Sequence, residues 1–328
     1  MNNHPVRALR RFRNSPVYDD VKSGVQKTLK EKLLSLLRFL LIAGIGYVIL
    51  APVIGLVSSS FFSNADAYNP MVFLLPASPT LERYTRAMVH LKYLPTLART
   101  LFLSVSVTAL QLFVCSMAGY GFARFRFPLK KLLFACVVVM IVIPSYTIML
   151  PLYITFRNFD PLGLVSLFFG QPQNLMGTTW PVYIMTALGC GLRSGLFIYI
   201  FNQFFRGMPR EIEEAAFVDG AGTWYTYLRI MLLNAMPAVI TVSVFSLVWQ
   251  YNDTFFGRLF LIPNTVLLSK RVSTLQVNIA TLDKILDPSI QQLYVSAGIV
   301  LLMLPMVILY LLLQKKFVES VERSGIVG

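Results

Sequence analysis

Charged residues are scarce in this sequence. They make up 13% of the 328 residues, whereas soluble domains carry about 25%. Hydrophobic residues make up 56%, and the mean hydropathy is +0.65. This composition excludes an ordinary water-soluble domain and indicates an integral membrane protein. The net charge of +14 lies mainly between apolar runs, where it favours contact with membrane lipids and predicts no nucleic-acid partner.

Residues that bind metals or form disulfides are also rare. The chain has three cysteines, Cys115, Cys136 and Cys190, and two histidines, His4 and His90. The cysteines lie in apolar runs without a Cys-x-x-Cys spacing, which is typical of small packing side chains. The histidines lie in polar regions. We therefore expect neither a metal site nor a cofactor bound by this chain.

Six apolar runs are long enough to cross a bilayer, whose core is spanned by about 20 helical residues. They cover 39–57, 101–122, 132–154, 181–205, 234–251 and 293–313. Lipid cannot satisfy backbone hydrogen bonds, so each run is expected to be a helix. Their prolines are expected to mark kinks rather than breaks: Pro52, Pro144, Pro237 and Pro305. The predicted fold class is an all-α membrane protein with six transmembrane helices.

The Lys and Arg residues predict the orientation, because cytoplasmic segments carry an excess of them. With the N-terminus inside, 19 of the 29 fall in cytoplasmic segments and nine in outer ones, while Arg193 lies within the fourth run. Both termini are therefore expected in the cytoplasm, in a cell membrane. The predicted organisation is a basic, partly disordered arm at 1–35, a six-helix domain at 36–317 with a cytoplasmic loop at 206–229, and a cytoplasmic tail at 318–328.

Carboxylates are missing from the interior of all six runs; the fifteen Asp and Glu residues lie outside them or at their edges. Carriers driven by protons or sodium usually keep carboxylates in their spans. The chain also has no Gly-Lys pair, and so no P-loop for ATP. An ion-coupled carrier is thus disfavoured. A membrane enzyme or signalling subunit has no nucleophile, metal set or acid–base pair to support it.

The most acidic patch is "PREIEEAAFVDGAGTW", residues 209–224. Pro209 suits a first helical position, and the three glutamates that follow suit a first turn because the helix dipole favours negative charge there. Gly220 suits the left-handed residue after a helix, and Thr223 suits the cap of the next helix. The stretch therefore predicts a short helix, a turn and a second helix.

The short helix has two interpretations. It is either a surface connector between two spans or a surface that fits a groove on another subunit. The second is favoured by small and apolar residues beside the glutamates, which permit a close approach and pairing with basic groups on a partner. These residues are Ile212, Ala215, Ala216 and Val218.

The pattern E-A-A-x3-G-x9-I-x-L, which begins at Glu214, closely resembles the EAA loop of ABC-importer permeases. In that family the loop is the coupling helix, seated in a cleft of the ATP-binding subunit. The resemblance implies that the residues contacting that subunit are Glu214, Ala215, Ala216, Asp219 and Gly220. The family's usual proline after the final Leu is Leu233 here, whereas a second proline is retained as Pro237.

The resemblance extends over roughly residues 80–328. It is carried also by 81–88, 118–134, 143–163, 273–282 and the tail 315–328, which look like segments of carbohydrate-type permeases and of the smaller maltose-type permease subunit. One departure is Arg99, where the family usually has Asn. The resemblance implies the ABC type I importer fold and a sugar or oligosaccharide as cargo, with another solute as the alternative.

Several partners are implied by the same resemblance. They are ATP-binding cassette subunits that hold ATP and Mg, a second homologous permease, and an extracytoplasmic solute-binding protein. The outer segments at 58–95 and 253–290 are long enough to receive the binding protein.

Candidate substrate contacts come from two stretches. Arg193 is the only charge well inside a run, and it either faces a substrate path, contacts a partner or lies nearer the interface. It stands in "GLRSG", whose Gly-x-x-x-Gly spacing permits close helix packing. The stretch "VWQYNDTFF" supplies Trp249, Tyr251, Asn252 and Asp253. These suit a sugar by stacking and hydrogen bonding, and equally suit an interfacial aromatic belt.

Overall fold

The computed structural model describes residues 16–263 and 266–325, and these are mostly helical. Numbered in chain order, the α-helices are α1 Pro16–Ser59, α2 Asn64–Tyr68, α3 Glu82–Leu91, α4 Tyr93–Arg124, α5 Lys130–Val142, α6 Met149–Arg157, α7 Leu164–Phe169, α8 Trp180–Ala187, α9 Ser194–Gly207, α10 Glu211–Val218, α11 Thr223–Tyr225, α12 Leu232–Asn234, α13 Met236–Tyr251, α14 Phe255–Leu259, α15 Leu268–Ser273, α16 Leu275–Leu282 and α17 Pro288–Gly325. The all-α fold class is thereby confirmed.

Three helices are long and apolar enough to cross a membrane unbroken. They contain Lys30–Ser59 of α1, the whole of α4 and Pro288–Leu312 of α17. They match the first, second and sixth predicted runs, because each has an apolar stretch long enough to span the membrane. Pro52 and Pro305 lie inside α1 and α17, as expected of prolines that do not end a helix.

Helices run across two of the predicted domain boundaries, and the division itself stays a prediction. The arm at 1–35 was expected to be partly disordered, but α1 already begins at Pro16; residues 1–15 lie outside the described residues. The separate tail at 318–328 was expected to follow the last span. Instead α17 continues to Gly325, and 326–328 lie outside the described residues. In both helices a polar segment continues the helix beyond the apolar run: before it in α1 and after it in α17.

The third and fifth predicted runs are bent pairs of helices rather than single rods. α5 and the segment Ser145–Arg157 meet at 106°, and Pro144 stands at this corner, so it marks a break and not a kink. The segment Thr223–Asn234 and the helices of Met236–Leu259 meet at 79°. Pro lacks a backbone donor and restricts the residue before it, which explains both corners; Pro237 lies in the first turn of α13.

The fourth predicted run, 181–205, is not one span. It consists of α8 and α9, separated by residues 188–193. Gly189 has φ +71° and Arg193 has φ +59°, which is backbone that α-helix cannot contain. By length and composition the described chain therefore has three unbroken candidate spans, or five if each bent pair is one span.

The core is built around α4, which packs on α9 and α13. Glycines permit the closest approaches. A Cβ on Gly119 would lie 2.5 Å from the Cβ of Phe201, and a Cβ on Gly195 would lie 2.9 Å from the carbonyl oxygen of Val137. Gly195 belongs to "GLRSG", so this end of the motif serves close packing, here of α9 against α5.

Short helices form a layer at the Tyr93 end of α4. His90 Nε2 lies 2.9 Å from an Asp283 carboxylate oxygen, and Arg271 donates to the His90 carbonyl at 3.0 Å. The guanidinium of Arg83 lies 4.5 Å from the centroid of the Tyr294 ring. The described residues of the segments 58–95, 253–263 and 266–290 thus contact each other and α17.

The other end of α4 carries α10. Since α4 has 32 residues, the two ends are about 48 Å apart along the helix axis. Much of the surface between them is apolar, and side chains of α1 such as Ile42 and Val48 are 69% and 71% exposed. Such a surface is stable in lipid, where every helical backbone group is already paired.

Candidate functional site

The start of α10 differs by two residues from the prediction. The helix begins at Glu211 with Arg210 as its N-cap, and Pro209 precedes them, so Pro209 is not the first helical residue. The amides of Glu213 and Glu214 donate to the Arg210 carbonyl at 3.0 and 3.1 Å. The predicted acidic first turn is confirmed, and its charges lie where the helix dipole stabilises them.

The end of α10 is closed by Gly220, whose φ of +82° confirms the predicted left-handed residue. The Ala221 amide donates to the Ala216 carbonyl at 2.9 Å, and the Gly220 amide donates to the Phe217 carbonyl at 3.1 Å. This is the hydrogen-bond pattern that satisfies the last carbonyls of a helix. Gly222, not Thr223, is the N-cap of α11. The next helix, α11, therefore begins only five residues after Val218.

A buried ion pair fixes α10 to the end of α4. The Glu213 side chain accepts a hydrogen bond from the Tyr120 hydroxyl at 2.6 Å and lies 3.0 Å from Arg124 Nε. The two charged side chains are only 10% and 7% exposed. Arg124 also donates to the Met208 carbonyl at 2.9 Å. A charge pair in such a site is stabilising only while both partners are present.

Aromatic contacts extend this anchor to α9 and to the π-helical turn that follows α11. The Tyr120 ring lies 5.3 Å from Phe205 and 5.1 Å from Tyr227, measured between centroids. The Tyr227 hydroxyl lies 2.7 Å from the Ser116 hydroxyl. Tyr227 stands in a π-helical turn, Thr226–Met231, a local insertion that is frequent at functional sites. α10 is thus held on one side by three elements of its own chain.

The opposite side of α10 is exposed. Of the five residues predicted to contact an ATP-binding subunit, Glu214, Ala215, Asp219 and Gly220 are exposed in the described chain. Ala216 is only 5% exposed and faces inward. The inward side also includes Ile212, which packs on the core cluster around α9.

Two large apolar side chains join the exposed side of α10. Phe217 is 45% exposed and Val218 is 86% exposed. Sequence analysis named Val218 but overlooked Phe217. The exposed surface of α10 therefore combines two apolar side chains at its C-terminal end with the acidic side chains of Glu211, Glu214 and Asp219. Such a combination is typical of a surface that docks into another protein.

A second candidate feature is a cavity of about 260 Å³ between the corner of α5 and α6 and the break before α9. Its polar lining comprises Ser145, Cys190, Arg193 and Ser194, and most of its remaining lining is apolar. The guanidinium of Arg193 lies 5.5 Å from the Trp249 ring centroid. This cation–π contact gives the charge a partner without a carboxylate.

Gln111 forms hydrogen bonds with the backbone and side chains at the helix break beside this cavity. Its side-chain amide donates to the Leu192 carbonyl at 2.7 Å and to the Ser194 hydroxyl at 2.8 Å. Its carbonyl accepts from Ser246 at 2.7 Å. Gln111 is fully buried, so it supplies hydrogen bonds that the interrupted backbone has lost. A single Gln in the middle of the second apolar run was the sequence signal, and it was overlooked.

The remaining candidate substrate residues lie away from this cavity. Tyr251 is fully buried, and its hydroxyl donates to the Leu302 carbonyl of α17 at 2.9 Å. Asp253 accepts from the Gly257 amide at 3.1 Å and so caps α14. Asn252 is exposed and donates to the Val248 carbonyl of its own helix. The structure therefore brings Arg193 and Trp249 together but not the other three.

The sequence matches the family described as "Binding-protein-dependent transport system inner membrane component" over residues 112–323. This range runs from the middle of α4 into α17 and includes α10 and both helix corners. The chain belongs to this family. It is therefore a multi-pass membrane component of a binding-protein-dependent transport system.

Curated relatives of this inner membrane component align over most of their length. A probable ABC transporter permease of Pyrococcus horikoshii is 27% identical over 87% of this chain and 93% of its own. The maltodextrin transport system permease protein MdxG of Bacillus subtilis is 26% identical over 88% of this chain and 95% of its own. The arabinooligosaccharides transport system permease protein AraQ of Halalkalibacterium halodurans is 25% identical over 92% of this chain and 100% of its own.

A solved structure confirms the ABC importer permease fold. It is a bacterial ABC transporter involved in the import of the acidic polysaccharide alginate, with a TM-score of 0.71. The likeness covers 88% of this inner membrane component and 98% of the matched chain at 20% sequence identity. At that identity the comparison supports the fold alone.

Proposed function

We propose that this chain is the permease subunit of an ATP-driven importer and that α10 couples it to a separate ATP-binding subunit. One observation carries the proposal. The Glu213–Arg124 pair fixes one side of α10 to the end of α4, while the acidic and apolar opposite side is left exposed. A rigidly mounted helix with a bare docking surface can transmit force from a partner to the spans.

The proposed mechanism follows from this mounting. ATP and Mg are bound by the partner subunits, and closure of these subunits displaces α10. The ion pair and the Tyr120 hydrogen bond carry the displacement into α4, and the bent helices accommodate it. A ligand shifts such an equilibrium only through a difference in affinity between the two states. A loaded binding protein on the layer formed by α2, α3, α15 and α16 supplies this difference.

The proposed orientation places α10 and both chain ends in the cytoplasm, which agrees with the distribution of Lys and Arg. The layer at the Tyr93 end of α4 is then extracytoplasmic. A second homologous permease completes the path, because a chain with these few spans encloses only part of a channel. The cell membrane supplies the lipid surroundings.

The proposed cargo is a sugar or oligosaccharide. This rests on the relatives named for maltodextrin, arabinooligosaccharides and diacetylchitobiose and on the pairing of Arg193 with Trp249. A guanidinium donates hydrogen bonds to hydroxyl groups, and an aromatic ring stacks on a sugar face. The cavity of about 260 Å³ is smaller than typical ligand pockets of about 300–1,000 Å³, so one chain would surround only part of an oligosaccharide.

Site-directed crosslinking tests the coupling role. In a background with C115A, C136A and C190A, a cysteine at Val218, which is 86% exposed on α10, is expected to crosslink to a nucleotide-hydrolysing subunit in the assembled complex. The matched control is a cysteine at Val89, which is 73% exposed on α3, next to the Tyr93 end of α4. Capture of that subunit from Val89, or its absence from Val218 in a complex that hydrolyses ATP, contradicts the proposal.

Transport assays test whether the contact is functional. Glu214→Lys reverses a charge on the docking surface, and Gly220→Leu places a side chain where φ is +82° and the added Cβ meets nothing within 4 Å in this chain. Both variants are expected to insert normally but to lose substrate-stimulated ATP hydrolysis and uptake. Glu31→Lys on α1, also an exposed carboxylate, is the control and retains both. Coupled transport by both α10 variants would refute the role.

Thermal-shift screening of the cognate binding protein identifies the cargo class. Stabilisation by saccharides supports sugar import. Stabilisation by a different class of solute leaves the coupling role intact and replaces the cargo assignment. Uptake that ceases with a protonophore but survives ATP depletion would contradict the ATP-driven mechanism.

A further inference from the structure

A strongly basic cavity lies at the α10 end of the bundle, apart from the docking surface and from the Arg193 cavity. Its volume is about 420 Å³. Its lining consists of Phe122, Ala123, Lys130, Lys131, Phe134, Asn202, Arg206 and Arg210. Four of these eight residues are cationic and none is acidic, although the three glutamates of α10 begin at the next residue after Arg210.

The four cations have no carboxylate partner in the part of the chain that the structure describes. The nearby Glu213 is already paired with Arg124 at 3.0 Å. Lys130 Nζ donates to the Phe125 carbonyl at 2.8 Å, a neutral acceptor that leaves its charge uncompensated. Like charges around one cavity repel one another, and an anion between them would relieve this repulsion. The geometry therefore favours an anionic occupant.

The walls of the cavity favour an occupant with an apolar part. Phe122 and Phe134 meet edge to face with centroids 5.5 Å apart, and Phe134 lies 6.3 Å from Tyr199. Beside them on α5, Leu132 and Leu133 are 59% and 47% exposed. The cavity thus opens next to an apolar helix surface at a span end. Basic pockets in this position bind the headgroups of anionic lipids.

We propose that this cavity binds the phosphate of an anionic phospholipid whose acyl chains lie along α5. Lys131 and Arg206, both exposed, contact the phosphate directly, and Lys130 lies deeper beside them. The assignment to the cytoplasmic leaflet rests on the proposed function, whereas the phosphate contact itself does not.

The site also bears on α10. Arg210 lines the cavity and is at the same time the N-cap of α10. A phosphate that holds its guanidinium fixes the entry of the chain into α10. The lipid would then act as a second anchor for this helix, on the side away from Glu213.

The test measures lipid retention by the complex in nanodiscs. The complex is reconstituted in an equal mixture of phosphatidylglycerol and phosphatidylcholine, released, and analysed by native mass spectrometry. The double variant K131Q/R206Q removes two cations from the cavity and leaves Arg210 in place. Because each cation near a lipid surface contributes roughly fivefold, we expect about a 30-fold weaker retention of phosphatidylglycerol.

Two controls accompany this variant. R126Q/R229Q removes two exposed cations that do not line the cavity. It therefore has the same net charge as K131Q/R206Q, but it is expected to retain phosphatidylglycerol. K131R/R206K keeps the cavity charges and is expected to restore retention, which separates loss of charge from a folding defect.

The outcomes are decisive in either direction. The lipid site is supported if K131Q/R206Q selectively loses phosphatidylglycerol while millimolar inorganic phosphate does not displace this lipid from the unmodified complex. Displacement of the lipid by inorganic phosphate assigns the cavity to a soluble phosphate and overturns the proposal. Equal losses in both charge-removing variants, or no preference for phosphatidylglycerol, overturn it as well. Lipid retention is measured without ATP and does not depend on coupling. A failure of the coupling role would instead be seen in the crosslinking experiment at Val218.

Discussion

The anchor of α10 gives the sharpest prediction. Glu213→Gln keeps the shape of the side chain but removes its charge, and it leaves Arg124 buried at 7% exposure without its counter-ion. Breaking a buried pair by removing one partner costs about 3–5 kcal/mol. The amide can still accept from Tyr120, so we take the lower end, about 3 kcal/mol, which corresponds to roughly a hundredfold change in an opening equilibrium.

Hydrogen exchange measured by mass spectrometry reads this change locally. In the purified inner membrane component, without its ATP-binding subunits, amides of 211–221 are expected to exchange roughly a hundredfold faster in Glu213→Gln. The control is Glu214→Gln on the same helix, because that side chain is exposed and has no hydrogen bond or ion pair in the described structure. Peptides from α3 serve as an internal reference and are expected to be unchanged.

A double-mutant cycle separates the pair from its surroundings. Glu213→Gln combined with Arg124→Gln is expected to be more stable than the sum of the single effects predicts, by about 1 kcal/mol or more. Equal exchange in Glu213→Gln and Glu214→Gln would refute the anchoring role. Strict additivity in the cycle would also refute it, since the 3.0 Å contact would then contribute no interaction energy.

Three further predictions concern the rest of the fold. Gly119→Ala, whose Cβ would lie 2.5 Å from the Phe201 Cβ, is expected to lower the Tm, whereas Gly121→Ala has nothing within 4 Å and should be neutral or stabilising. Gln111→Leu leaves the Leu192 carbonyl without its 2.7 Å donor, at about 1–3 kcal/mol, and should lower the Tm more than Gln203→Leu on the exposed surface. The hydrogen bond from the Ser63 amide lowers the pKa of Asp66 below its ordinary value of 3.8. The ionised carboxylate therefore stabilises the fold above that pH, and this stability is lost as the pH falls below it. Asp66→Asn should reduce the difference in Tm between pH 6 and pH 3.

The features that the sequence predicted well are those set by near neighbours. The acidic first turn of α10 and the left-handed Gly220 depend on residues within one helical turn of each other. The three unbroken spans follow from long apolar runs, which stay helical in spite of Gly44 and Gly46, Gly119 and Gly121, and the prolines Pro52 and Pro305. The exact start of α10 was predicted less well, because Pro209 lies just ahead of the helix instead of at its first position.

The features that were missed depend on contacts between distant segments. Glu213 and Tyr120 are 93 positions apart, and no local pattern brings them together. The break before α9 was hidden by the high hydropathy of its surroundings, although Gly189 and Gly191 on either side of Cys190 were a visible signal. Tyr251 looked suitable for a sugar, but packing against α17 engages its hydroxyl with Leu302.

The continuity of α4 has a mechanical consequence. Its 32 residues form one uninterrupted hydrogen-bond ladder, which makes it stiff, whereas the ladders of the neighbouring spans are cut at 106° and 79° corners and at residues 188–193. Compliance is therefore concentrated at those cuts. During a transport cycle the separation of Tyr93 and Arg124 should stay constant while the distances across the corners change, and spin labels at these positions would read the stiffness of α4 directly.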